Sequence, residues 1–254
     1  MKGRWRLLPA ISLLSVVAFP AIATAQTLIK PATTADYTAL GALPDWSGLW
    51  SPERSGRMVS EPKYTPEAAK AAAEYKAAQG KGENLQTEQA NCVPPGMPGI
   101  MRQPYPMEVI YSPGRVTLLM ETYSQVRRIY TDGRALPDEP DPQFNGTSVG
   151  RWEGKKLIVE TTGVTPSISI LPGIHPSDKL RIHEVFEVNE NGRLVDTATL
   201  TDPEVFTEPF VIQYVWGRHR DWAMREYICQ ENNRDAADPF GRPSMDLKLD
   251  PEKK

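Results

Sequence analysis

Glu184 and Asp196 are the residues in this sequence best suited to proton chemistry. In the run 180–188, Glu184 keeps phase with Ile182, Phe186 and Val188, and in the run 194–201, Asp196 keeps phase with Leu194, Ala198 and Leu200. On strands, each carboxylate therefore shares a face with large apolar side chains. A carboxyl desolvated among such neighbours has its pKa raised and can act as acid or base near neutrality. His183 is adjacent to Glu184, and His175 stands in the loop 173–178 just before the same strand. An imidazole at that place suits a general base or a proton donor.

A second group gathers Tyr123, Arg127, Arg128, Tyr130, Asp132 and Arg134 at one turn. Consecutive arginines on a strand point to opposite faces. Arg128, in phase with Val126 and Tyr130, is assigned the inward place, where a planar guanidinium binds a carboxylate, phenolate or sugar hydroxyl. The chemistry this implies uses Glu184 or His183 as base, His175 or Tyr130 as acid, and Arg128 to hold an anionic or enolate-like oxygen. Tyr123, Asp196, Tyr214 and Arg225 would contact the substrate. Tyr214 and the tryptophans Trp152, Trp216 and Trp222 supply aromatic surface for a core or for a pocket that takes a flat ligand. The competing reading pairs the carboxylates with Arg128 and Arg225 as structural ion pairs and sets the turn arginines in a ladder with Glu121.

Positioning these side chains requires strands. From Pro104 onward the hydrophobic period is two, with runs at 107–111, 115–123, 126–130, 148–152, 157–162, 180–188, 194–201, 210–216 and 223–229. Turn chemistry separates them: Ser112-Pro113-Gly114, Thr131-Asp132-Gly133, Asn145-Gly146, Glu153-Gly154, Asn191-Gly192 and the stretch 218–221. Sequential hairpins predict an all-β antiparallel meander. So many strands must hide two edges, and closure into a lipocalin-like barrel does this directly, with a β-sandwich as the alternative. Asp45-Trp46-Ser47-Gly48-Leu49-Trp50 reads as a short first strand. One short surface helix is expected, with Thr65 as N-cap, Pro66 at the first position and a stop at Gly80.

These elements divide the chain into a signal peptide at 1–25, an arm at 26–44 and a single barrel domain at 45–231. That domain carries a helical excursion at 61–91, and a polar tail follows at 232–254. Lys2, Arg4 and Arg6 precede the apolar run 7–22, and Ala23-Thr24-Ala25 has the small-x-small form of a cleavage site. The expected destination is therefore the periplasm or the outside of the cell. Cys92 and Cys229 are the two cysteines of the chain, and in an oxidising compartment pairing is their default.

With 29 Lys plus Arg against 32 Asp plus Glu, spread evenly, the chain offers no basic footprint for nucleic acid. No later segment is long and apolar enough to predict a membrane span. The sequence contains no His-x-His, no His-Glu-x-x-His, no phosphate loop and no dinucleotide fingerprint. No metal and no cofactor is expected on this reading.

The segments Cys92-Val93-Pro94-Pro95-Gly96-Met97-Pro98, Pro104-Tyr105-Pro106-Met107-Glu108 and Tyr130-Thr131-Asp132-Gly133-Arg134, with the stretch 145–157, resemble a large family of secreted bacterial proteins that carries no common assigned activity. In that family's Asn-Gly-His-Ser-x-Gly-x-Trp-Glu-Gly pattern, Thr147 here stands in the place of the His. The resemblance implies export and transfers no chemistry. Trp46-x-Gly48-x-Trp50 also resembles the Gly-x-Trp opening of lipocalin-like barrels, a similarity of fold rather than function. The expectation is an exported, cofactor-independent enzyme, of lyase or isomerase type, acting on a small aromatic or sugar-derived molecule. A periplasmic small-molecule binding or carrier protein is the alternative.

Overall fold

A computed structural model describes residues 31–83, Leu85 and residues 92–229. The signal-peptide reading at 1–25 and the tail at 232–254 lie outside the described residues.

Nine strands close into one barrel in sequence order: β1 (Leu49–Met58), β2 (Met107–Ser112), β3 (Arg115–Met120), β4 (Val126–Tyr130), β5 (Thr147–Glu153), β6 (Lys156–Thr162), β7 (Arg181–Val188), β8 (Leu194–Thr201) and β9 (Phe210–His219). β1 pairs with β9 and completes the ring, so the sheet keeps no free edge. The expected barrel is present and the sandwich is not. Two of the tight hairpins turn on Gly154 and Gly192, both in the left-handed region that a side chain resists.

Three expectations are corrected. β4 and β5 run parallel, through the pairs Ile129↔Ser148 and Tyr130↔Val149, so the meander is interrupted once. Thr131-Asp132-Gly133 does not close a hairpin; the connection runs from residue 131 to 146, past Pro137, Pro140 and Pro142, and that length lets the chain return in the same direction. Residues 223–229 form no strand, because β9 has already paired with β1 and no edge remains for another. The first strand begins at Leu49 and runs on to Met58, with register shifts between Pro52 and Arg54 and between Arg54 and Arg57. Such bulges break the two-residue period that would have revealed it.

The helix expected after Thr65 is α2 (Pro66–Gly80), capped by the Thr65 hydroxyl accepting from the Ala68 amide. A second helix, α1 (Thr34–Ala39), lies in the segment read as an irregular arm; Thr33 and Asp36 form its capping box. None of the residues of α1 is buried, so no apolar period announces it.

The barrel interior is filled. Trp50, Val116, Leu118, Ile129, Leu157, Val159, Ile182, Phe186, Leu194, Leu200, Phe210 and Ile212 point into it, and the segment Met97–Met101 packs among them with Met97, Ile100 and Met101 buried. The Cys92–Cys229 disulfide forms, with a Cα–Cα separation of 5.8 Å. It joins the segment leading into that plug to the chain after β9, instead of to a strand.

Candidate functional site

One polar side chain from each of six consecutive strands faces the interior: Arg127 on β4, Ser148 on β5, Thr161 on β6, Glu184 on β7, Asp196 on β8 and Tyr214 on β9, all at 0–1% exposure. The alternation of each strand places them, since each shares the inward phase with buried apolar residues. Register makes them neighbours: Ser148 pairs with Thr161, and Asp196 pairs with Tyr214.

Arg127 is the hub. Its Nη1 donates to Glu184 Oε1 at 2.8 Å and its Nη2 donates to Glu184 Oε2, a two-pronged ion pair. Nη2 also donates to Thr161 Oγ1 at 3.0 Å and to Ser148 Oγ at 3.3 Å, and the two hydroxyls lie 2.8 Å apart. Burial works against the guanidinium charge, and Glu184 more than offsets it. Asp196 has no such partner: neither carboxylate oxygen meets a donor. Burial first, and then the Glu184 charge, push its carboxyl well above the ordinary range, with Arg127 opposing. The Tyr214 hydroxyl, 3.5 Å from the Pro98 carbonyl, is pushed up by burial and then by Asp196.

The sequence reading assigned the inward guanidinium to Arg128. The structure turns Arg127 inward and leaves Arg128 exposed. The phase of Val126 and Tyr130 proves to be the outer one, because Ile129, at 0% exposure, sets the inner face of β4. Glu184, Asp196 and Tyr214 are together, as their phases implied. The other expected site residues lie apart from them. His183 is on the outer face with Nδ1 2.5 Å from Glu160 Oε1, and His175 is an exposed loop residue with Nδ1 2.8 Å from the Ile168 carbonyl. Tyr130 lies under the Arg134 guanidinium, 3.8 Å from its ring centroid. Tyr123 packs on Tyr227 at 5.3 Å, and its hydroxyl is pushed up to about 12, chiefly by burial. Arg225 is exposed, outside any strand, and its backbone amide donates to Glu121 Oε2 at 2.9 Å, so it is no interior partner for the carboxylates.

A groove of about 610 Å³ opens on the outside of the barrel beside β4 and β5. Its walls include Arg128 and Tyr130 from β4, Thr147 from β5, and Gln143, Phe144 and Asn145 from the connection between them. The ladder there holds the two parallel pairs Ile129↔Ser148 and Tyr130↔Val149. Arg128 makes no ion pair or side-chain hydrogen bond among the described residues, and Asn145 Oδ1 is buried without a donor while its Nδ2 donates to Gln125 Oε1 at 3.3 Å. The Arg128 guanidinium thus lines the groove with hydrogen-bonding capacity unused, whereas Asn145 Oδ1 is shielded from solvent. Sequence reasoning missed Arg127, Ser148, Thr161 and Asn145. The phase of Ile129 was the available signal for the first, and the others become visible only once β5 is placed.

Among the described residues, no cluster of three or more His, Cys, Asp or Glu side chains could hold a metal ion, and no helix is long and apolar enough to cross a membrane. No protein-family model and no curated protein matches the chain. Among solved structures, the chain is similar to a mutant of the fluorescent protein UnaG. The identity is 15%, the alignment covers 68% of this chain and 95% of that one, and the TM-score is 0.30. A likeness at that level carries no argument about what this barrel binds or does.

Proposed function

We propose that this chain is an exported small-molecule-binding protein whose ligand occupies the groove beside β4 and β5. The ligand class is a small polar molecule with a carboxylate or similar planar anion. Arg128 supplies the forked donor, and Phe144 and Tyr130 offer ring surface. The observation that carries this reading is the Arg128 guanidinium, unpaired among the described residues, on the wall of a 610 Å³ groove.

Binding is favoured over acid–base catalysis by the placement of Glu184. A general base must reach the proton it removes. Glu184 is at 0% exposure with both oxygens engaged by Arg127.

Native mass spectrometry of the protein incubated with cell extract, followed by denaturing extraction, identifies the ligand. Titration calorimetry with that molecule then compares wild type and Arg128→Ala. Loss of one charge-assisted contact of about 1.5–3 kcal/mol predicts a tenfold to hundredfold weaker affinity. Equal affinity in the variant sinks the assignment, and recovery of a mass-shifted product in place of the molecule supplied returns the enzyme reading to first place.

A further inference from the structure

Asp196 is the carboxyl of the interior belt that meets no donor. The belt holds two carboxyls and one guanidinium; both terminal nitrogens of that guanidinium bind Glu184, and its buried Nε meets no acceptor, Asp196 included. Asp196 follows the same inward phase on the next strand, two residues along from Ala198, the ladder partner of Glu184. Across the other ladder it faces Tyr214. Its exposure is 0%, and neither of its oxygens has a donor. An ionised carboxylate in that place would be buried without a hydrogen bond and beside a second carboxylate that already holds the Arg127 guanidinium, an arrangement that proteins avoid by neutralising the group.

We propose that Asp196 is a protonated carboxylic acid in the closed barrel, donating its proton toward the Glu184 carboxylate, so that barrel closure is linked to binding one proton. The charged and titratable groups facing Asp196 are Glu184 on β7, Arg127 on β4 and Tyr214 on β9. Arg102, from the plug, acts on Tyr214 in turn. The phenol is neutral over the working range, and burial and the Asp196 charge both push its titration up. Arg127 pulls the Asp196 proton off less strongly than burial and Glu184 hold it on. Ser148 belongs both to this belt and to the groove wall, but the argument for Asp196 does not rest on the binding proposal.

The sign follows from the proton count. The folded state keeps the Asp196 proton above the unfolded pKa of about 3.9, whereas the unfolded chain loses it there. Asp196 therefore costs the fold nothing below that pH. As pH rises from about 4 toward the raised folded pKa, its contribution turns progressively against folding. One extra proton in the folded state raises the unfolding constant by up to about tenfold per pH unit across that window. Asp196→Asn keeps the size and the donor of the protonated acid and removes the titration.

The test is denaturant unfolding of the wild-type chain and Asp196→Asn at pH 5, 6, 7 and 8, together with infrared spectroscopy of the wild type in heavy water. The ratio of wild-type to variant unfolding constants should climb with pH, by about tenfold per unit at the steepest. The wild type at pH 7 should show the carbonyl stretch of an un-ionised carboxylic acid inside an exchange-protected core. A flat ratio overturns the proposal. If the Asn variant does not fold, the infrared band decides alone: its presence at pH 7 supports the shared proton, and its absence overturns it.

Discussion

Arg127 and Arg128 are consecutive residues with the same side chain, and the wall of the barrel separates them. Arg127 meets Glu184, Ser148 and Thr161 in an interior closed to water. Arg128 is exposed at the edge of a groove and takes no ion-pair partner among the described residues. The same charge is thus structural on one side of a strand and available on the other. The physical difference is solvation. Inside, a lone guanidinium would lose its hydration without return, so it exists only with an acid aligned to it. Outside, water solvates it at no structural cost.

The largest effect that would break this comparison is at Arg127. Arg127→Met leaves Glu184 buried without its counter-ion, and a loss of about 3–5 kcal/mol in unfolding free energy is expected by denaturant titration. The double variant Arg127→Met/Glu184→Leu removes both charges. Recovery of most of that loss sharpens the argument, whereas a double variant as weak as the single would mean that shape rather than charge is what the belt supplies.

Gly56 should give an intermediate effect. It lies on β1 at φ +56, and an added Cβ would stand 2.8 Å from Cε1 of the buried Tyr214 ring. Gly56→Ala is expected to cost about 1–3 kcal/mol by thermal unfolding, from both the backbone conformation and the crowded interior face. An unchanged melting temperature would show that Tyr214, and with it the inner belt, can shift freely.

The smallest effect on stability is expected at the other arginine. Arg128→Ala should change unfolding free energy by no more than about 0.5 kcal/mol, because an exposed, unpaired side chain holds nothing in place. Its effect should fall on ligand affinity instead. A loss of stability comparable to that of Arg127→Met would erase the contrast between the two faces.

Much of the fold was legible in the residues. The limits of β4 and β8, the core of the other strands from β2 to β9, the Thr65 cap and the disulfide follow from period-two patterning, turn glycines and cysteine count. β1 was legible only at its first residues, since bulges erase the alternation. The parallel join of β4 and β5 was not legible, since a turn-like tripeptide does not say where a connection running to residue 146 returns. The candidate site divides the same way. The inward phase of Glu184 and Asp196 was visible, but its meaning was not, because the acid's partner lies on a strand 57 residues away. His183 and His175 show the converse: their types invited a role, and neither joins the interior belt.

Local pattern alone determined the strand class, the positions of most turns, the pairing of Cys92 with Cys229 and the face of each carboxylate. It could do so because alternation, left-handed glycines and thiol oxidation are governed by near neighbours or by compartment. Tertiary structure alone decided which of two adjacent arginines went inside, that Glu184 took that guanidinium and Asp196 went without, and that a groove opens beside β4 and β5. These outcomes depend on which distant strands become neighbours. In a closed barrel that is settled by the register of the whole ring rather than by any one segment.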